Sequence, residues 1–133
     1  MNYSGPTVFE LGEIAALKLA VKNFRKVETT LVGSGDDAAV VAVTDGRFVV
    51  TTDTMIEGHD FRLDWSSFYD LGFKAVATNL SDVAAMGATP TALVVAISVP
   101  PTTLIENLEA FADGLRDACQ QLAPGCGVVG GDL

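Results

Sequence analysis

The sequence is poor in basic residues, in cysteine and in histidine. Eight lysines and arginines stand against 17 aspartates and glutamates, a formal net charge of −9. The basic footprint needed to hold a nucleic-acid backbone is missing, so neither DNA nor RNA is an expected partner. An anionic substrate would need metal ions as intermediaries. Cys119 and Cys126 are the only cysteines and His59 is the only histidine. Their spacing fits no zinc pattern, and both cysteines are expected to be reduced structural thiols. No apolar run reaches the ~18 residues of a membrane span. Residues 1–6 lack the basic start and apolar core of a signal peptide. Together these absences predict a cytoplasmic protein with no membrane partner. There is no Gly-x-x-x-x-Gly-Lys-Ser/Thr loop, and the glycines at 33 and 35 lack the spacing and following helix of a dinucleotide fingerprint. Neither cysteine has an obvious base, and no Ser-His-Asp order can be argued.

What remains is an apolar, acidic chain. Its 133 residues are 49% hydrophobic and 19% charged, which suits one domain with a sizeable core. Periodicity predicts a helix over 9–25 carrying a stripe of Leu11, Ile14, Leu17, Leu19, Ala20 and Phe24. A polar, Gly-rich loop follows over 27–37. Residues 38–43 and 47–52 read as strands joined by an Asp45-Gly46 hairpin. Both are almost continuously apolar, so both faces need cover, from helices or from a second subunit. A loop over 55–65 leads into a long helix over 66–87, capped by Ser66 or Ser67 and ended by Gly87. A buried strand over 91–99 stops at Pro100-Pro101. Thr102 or Thr103 then caps a helix over 104–122, with Leu104, Leu108, Phe111, Leu115, Cys119 and Leu122 inward. A last strand begins at 126–129 and ends in a Gly130-Gly131-Asp132 turn. The predicted fold class is α+β: one mixed four-stranded sheet with helices on one face and the other face used for dimerisation.

Five aspartates fall at the borders of these elements: Asp36, Asp37, Asp53, Asp82 and Asp132. Acids at the ends of core elements can converge while staying distant in sequence. Converged carboxylates repel unless a cation sits between them, and Mg²⁺ is the natural ion for oxygen-only ligands. Asp82 lands on the apolar stripe of its helix, where burial is costly. It also lies in the last turn, where the helix dipole disfavours an anion. The bland reading is an ion pair with Lys74 or a capped neighbouring backbone. Asp53 ends a strand between Thr52 and Thr54, where hydroxyls suit a hard cation or phosphate; a solvated strand end explains it equally well. Asp36-Asp37 and Gly130-Gly131-Asp132 read alone are ordinary turns. His59 and Asp60 lie in a loop that could close over a substrate, although a lone histidine is more often a surface residue.

Taken together, the segments Gly35-Asp36-Asp37-Ala38-Ala39-Val40, Thr51-Thr52-Asp53-Thr54-Met55, Gly58-His59-Asp60-Phe61, Lys74 through Ala88 (KAVATNLSDVAAMGA) and Gly130-Gly131-Asp132 resemble the thiamine-monophosphate kinases. These belong to the superfamily of aminoimidazole ribonucleotide synthetase. The resemblance implies transfer of a phosphoryl group from ATP to thiamine monophosphate. It implies Asp37, Asp53, Asp82 and Asp132 as Mg²⁺ ligands, with Thr51 and Thr52 assisting through oxygen atoms. Thr51, Thr52, Asp53 and Asp132 would also meet ATP, and Asp60 or His59 would contact the thiamine part. It implies a homodimer whose paired sheets form a barrel. It further implies that residues 1–133 are the N-terminal ATP- and Mg²⁺-binding domain of a larger enzyme, and that they are inactive alone.

Two alternatives stand beside this one. Another enzyme of the superfamily is disfavoured because no cysteine precedes residue 119, and because Thr52-Asp53-Thr54-Met55 replaces the strand end typical of the aminoimidazole enzyme. A non-catalytic dimerisation or nucleotide-binding module is the alternative of a different class.

Overall fold

The computed structural model describes residues 5–33 and 38–133. The elements are α1 (Val8–Leu11), α2 (Glu13–Ala20), β1 (Thr30–Val32), β2 (Val40–Val41), α3 (Phe68–Ala85), β3 (Ala92–Ala96), α4 (Ile105–Leu122) and β4 (Gly127–Asp132). The α+β class holds. Among the described residues the single four-stranded sheet does not: β1 pairs antiparallel with β2, and β3 pairs parallel with β4, as two separate sheets.

The first predicted helix is two helices. Gly12 adopts φ +82° between them, a conformation that breaks the α-helical path and that glycine alone enters cheaply. The second piece ends at Ala20 rather than at 25. Thr7 and Glu10 close a reciprocal cap on α1: the Thr7 N–H donates to the Glu10 carboxylate at 2.8 Å and the Glu10 N–H to the Thr7 hydroxyl at 3.3 Å. The Val8 N–H donates to the Thr103 carbonyl at 2.9 Å and the Ile105 N–H to the Pro6 carbonyl at 3.0 Å, so the N-terminal segment is tied to the entry of α4. Ala16, Ile105 and Leu108 form a small core there.

The hairpin is also corrected. Asp45 and Gly46 do form a turn, with Gly46 at φ +74° and an Asp45 oxygen accepting the Arg47 N–H at 3.1 Å. However, among the described residues, 47–52 join no sheet. Phe48 and Val50 are 76% and 79% exposed. A continuous apolar run suggests a strand but not its partner, and here β2 pairs with β1 instead.

Helix α3 starts at Ser67, whose hydroxyl and N–H bond the Asp70 backbone and carboxylate in a capping box. Ser67→Ala is expected to cost about 1 kcal/mol, read as a lower urea midpoint at unchanged slope. Gly87 follows the helix at φ +69°. Its buried face is Leu71, Gly72, Val76 and Leu80. Helix α4 answers with Ile105, Leu108, Ala112, Gly114, Leu115, Ala118 and Cys119, while Leu122 is exposed. Its N-cap is Leu104, without a side-chain bond, rather than either threonine.

The two helices meet backbone to backbone. A Cβ on Gly72 would lie 2.0 Å from the Phe111 carbonyl oxygen, and one on Gly114 would lie 2.1 Å from that of Tyr69. Val76, Leu80, Leu115, Ala118, Cys119 and Cys126 form the main core at this crossing, with Leu93, Val95 and Val128 packed against it from the sheet. Val94, on the opposite face of β3, is 74% exposed. Helices thus cover one face of the β3–β4 pair.

Strand β4 is longer than the sequence suggests. Gly130, Gly131 and Asp132 belong to the strand, paired with Val94, Val95 and Ala96, and do not form a turn. A Cβ on Gly131 would lie 1.9 Å from the Val95 carbonyl oxygen. Glycine is therefore required there by the close approach of β3.

Candidate functional site

Asp53 stands in the extended segment after the Gly46 turn, and its side chain is exposed. One carboxylate oxygen accepts the Thr54 N–H at 2.9 Å. That bond is local, to the next residue, on a carboxylate that is otherwise exposed. Thr51 is half-buried and Thr52 exposed beside it.

Asp82 lies in the last turn of α3 and is exposed. This corrects the sequence argument, which took it for a buried charge. Residue 82 is about 200° around the helix from the buried Leu80, so it points away from the α4 face. The desolvation penalty falls away and only the unfavourable dipole remains. The suggested Lys74 pair is also absent: Lys74 is committed to the Asp60 carbonyl. The polar residues ahead of Asp82 bond back onto their own helix. Asn79 Nδ2 donates to the Ala75 carbonyl at 2.9 Å and the Ser81 hydroxyl to the Thr78 carbonyl at 2.7 Å.

Asp132 is the last residue of β4, exposed, with its carbonyl accepting the Ile97 N–H at 2.9 Å. Asp36 and Asp37 lie outside the described residues. Among the described residues, no three His, Cys, Asp or Glu side chains gather closely enough to hold a metal ion. Asp82 and Asp132 thus sit at element ends, as their sequence positions suggest, whereas Asp53 lies in a segment outside any helix or strand; the described acids do not converge into one cluster.

Residues 56–61 form a compact turn. The Gly58 N–H donates to the Phe61 carbonyl at 2.8 Å, and the His59 and Asp60 N–H groups both donate to the Ile56 carbonyl. Gly58, at φ +82°, allows the reversal. The Asp60 carboxylate accepts the Ile56 N–H at 2.8 Å and meets His59 Nδ1 at 2.8 Å. The Ile56 amide first, and then His59, hold the Asp60 carboxyl below its ordinary pKa. Its charge is therefore present at all but acid pH. The two oxygens are occupied inside the turn, whereas the His59 side chain is 83% exposed. Beside this turn, Glu57, Gly58, Arg62, Leu63 and Asp64 line a shallow cavity of about 380 Å³.

Cys119 and Cys126 are buried free thiols of the main core. The neighbouring Cys126 and burial together push the Cys119 thiol well up, so it stays protonated and inert.

Residues 35–133 match the family described as AIR synthase related protein, N-terminal domain. The chain belongs to this family. Relatives of the AIR synthase related chain include the thiamine-monophosphate kinase of Mycobacterium tuberculosis, 44% identical over 128 residues that cover 96% of this chain and 38% of the relative. That of Corynebacterium glutamicum is 40% identical, covering 97% of this chain and 38% of the relative. A crystal structure of thiamine-monophosphate kinase from Stenotrophomonas maltophilia K279a superposes with a TM-score of 0.68 at 33% identity, covering 87% of this chain and 34% of that one. The chain thus spans about two fifths of the length of the curated relatives it matches first.

Two features escaped sequence reasoning. The Lys74 bond to Asp60 had no signal, because it joins a loop to a helix fourteen residues on. The Gly72–Gly114 crossing had one: each glycine sits mid-helix on an apolar face, where glycine costs stability unless closeness requires it.

Proposed function

We propose that the protein acts in ATP-dependent phosphoryl transfer to thiamine monophosphate, giving thiamine diphosphate and ADP. The observation that carries this reading is 44% identity to a thiamine-monophosphate kinase over 128 residues, 96% of this chain. Residues 1–133 would serve as the N-terminal domain of that enzyme, with Asp37, Asp53, Asp82 and Asp132 holding Mg²⁺ and Thr51 and Thr52 adding oxygen contacts. The donor set of carboxylates and hydroxyls suits this ion in kind. Mg²⁺ usually takes one or two protein carboxylates and completes its shell with water and phosphate oxygens. Acids on separate parts of the chain are compatible with ions shared with a nucleotide. When bound, Mg²⁺ would neutralise charge on the two reacting phosphate groups.

The work of the chain itself is placement. The acceptor is already a phosphate, so no general base is needed to remove a hydroxyl proton. Asp82 at the end of α3 and Asp132 at the end of β4 are exposed carboxylates on regular elements, and Asp53 is an exposed carboxylate in the extended segment, bonded to the Thr54 N–H. ATP would meet Thr51, Thr52, Asp53 and Asp132. The 56–61 turn would face the thiamine part, with His59 as its exposed donor or acceptor and Asp60 behind it. The exposed apolar residues of 47–52 and of β1 favour pairing with a second copy, in a homodimer whose sheets close into a barrel. A cytoplasmic location fits a phosphoryl-transfer enzyme using ATP.

The test is turnover by the protein at the full length its gene encodes, with Mg²⁺, ATP and thiamine monophosphate. Thiamine diphosphate and ADP should form one for one. ATP consumption without thiamine diphosphate, or no turnover at all, would sink the reading. A stable dimer that binds no ATP analogue in calorimetry would favour the assembly-module alternative.

A further inference from the structure

We propose that Lys74 is a positioning residue that sets the 56–61 turn against α3, and through it the thiamine end of the substrate. This rests on the phosphoryl-transfer reading. Among the described residues, the hydrogen bonds of the turn are all internal except one, from Lys74 Nζ to the Asp60 carbonyl. The turn is thus hydrogen-bonded within itself and, among the described residues, to α3 through Lys74 alone. Asp60 is the hub: its carboxylate takes Ile56 and His59, and its carbonyl takes Lys74. An ammonium suits this place because one positive group can hold the carbonyl and attract the nearby carboxylate.

The anchor point matters because of what else α3 carries. Asp82 lies two turns, about 12 Å, further along the same helix. A helix pinned to α4 at Gly72, two residues before Lys74, does not slide. Lys74 therefore fixes the span from the turn to the acid that would meet the phosphates. Such registration is where small errors are costly, since misplacement by about 1 Å can lower a rate a hundredfold. Lys74 touches neither phosphate nor metal in this account.

The test uses the gene-encoded, full-length protein. Lys74→Met keeps the aliphatic stem and removes the charge; Lys74→Arg restores a donor. K74M should raise KM for thiamine monophosphate about tenfold or more while leaving KM for ATP within about twofold. K74R should recover most of the loss. Hydrogen–deuterium exchange should show the 56–61 amides opening faster in K74M, with the core of α3 unchanged. An unchanged KM for thiamine monophosphate, an equal rise in KM for ATP, or unchanged exchange over 56–61 would each overturn the proposal. A wild type that turns over no thiamine monophosphate defeats the functional reading instead, and the exchange result then decides the anchor alone.

Discussion

Gly72→Ala should destabilise the protein by about 3 kcal/mol, the upper end of the usual range for overpacked cores. The added methyl would sit 2.0 Å from a backbone oxygen of α4, and no rotamer change can relieve a clash with main chain. The helices must part by more than an ångström. That movement loosens Val76, Leu80, Leu115 and Ala118, which occupy the same crossing. Gly114→Ala should cost about as much for the reciprocal reason. The double variant separates this account from two independent defects. Once the helices have moved apart for one methyl, the second finds room, so the double variant should cost clearly less than the sum. Urea denaturation of all three variants measures this, and strict additivity would show that the two contacts do not share one displacement.

Asp82→Asn should lower activity without lowering stability. In the full-length protein, kcat should fall by about 10² or more, as when one preorganised charge-stabilising group is removed from an active site. The fold should not suffer. Asp82 is exposed, it takes no part in the Ser67 cap, and its negative charge sits at the wrong end of the α3 dipole. Removing that charge should leave Tm unchanged or slightly raised. A structural role would lower both quantities together. Steady-state kinetics beside calorimetric unfolding distinguishes the outcomes, and an unchanged kcat would remove Asp82 from the proposed metal set.

The helices were legible because their signals are local. Ser67 and Asp70 cap α3, Gly87 closes it, and the spacing of Leu108, Leu115 and Cys119 defines the inner face of α4. The strands were less legible because pairing is not local. The run over 47–52 has strand composition but finds no strand partner among the described residues, while β2 takes β1 across a segment that is Gly-rich in sequence. Gly130-Gly131 looked like a turn because glycine usually marks one, yet here it admits the Val95 carbonyl. Apolar periodicity ran straight through Gly12, where the backbone turns aside.

The site divides the same way. The acids could be named from order and flanking residues. Whether a carboxylate points inward could not, because Asp82 falls off the stripe only when the true inner face, Leu71, Gly72, Val76 and Leu80, is known. Asp60 changed meaning most. The sequence offered it as a substrate contact, and its bonds to Ile56 and His59 make it the hub of its turn.

Because β3 and β4 run parallel, neither can complete its ladder until the whole of α4 has been laid between them. The pairing of Ala92 with Gly127 and of Ala96 with Asp132 closes a long loop, and that entropy is spent before the ladder returns anything. Asp132 stands at the far end of that ladder, opposite Ala96, so the carboxylate proposed for metal is held by a pairing that only the α4 crossover brings together.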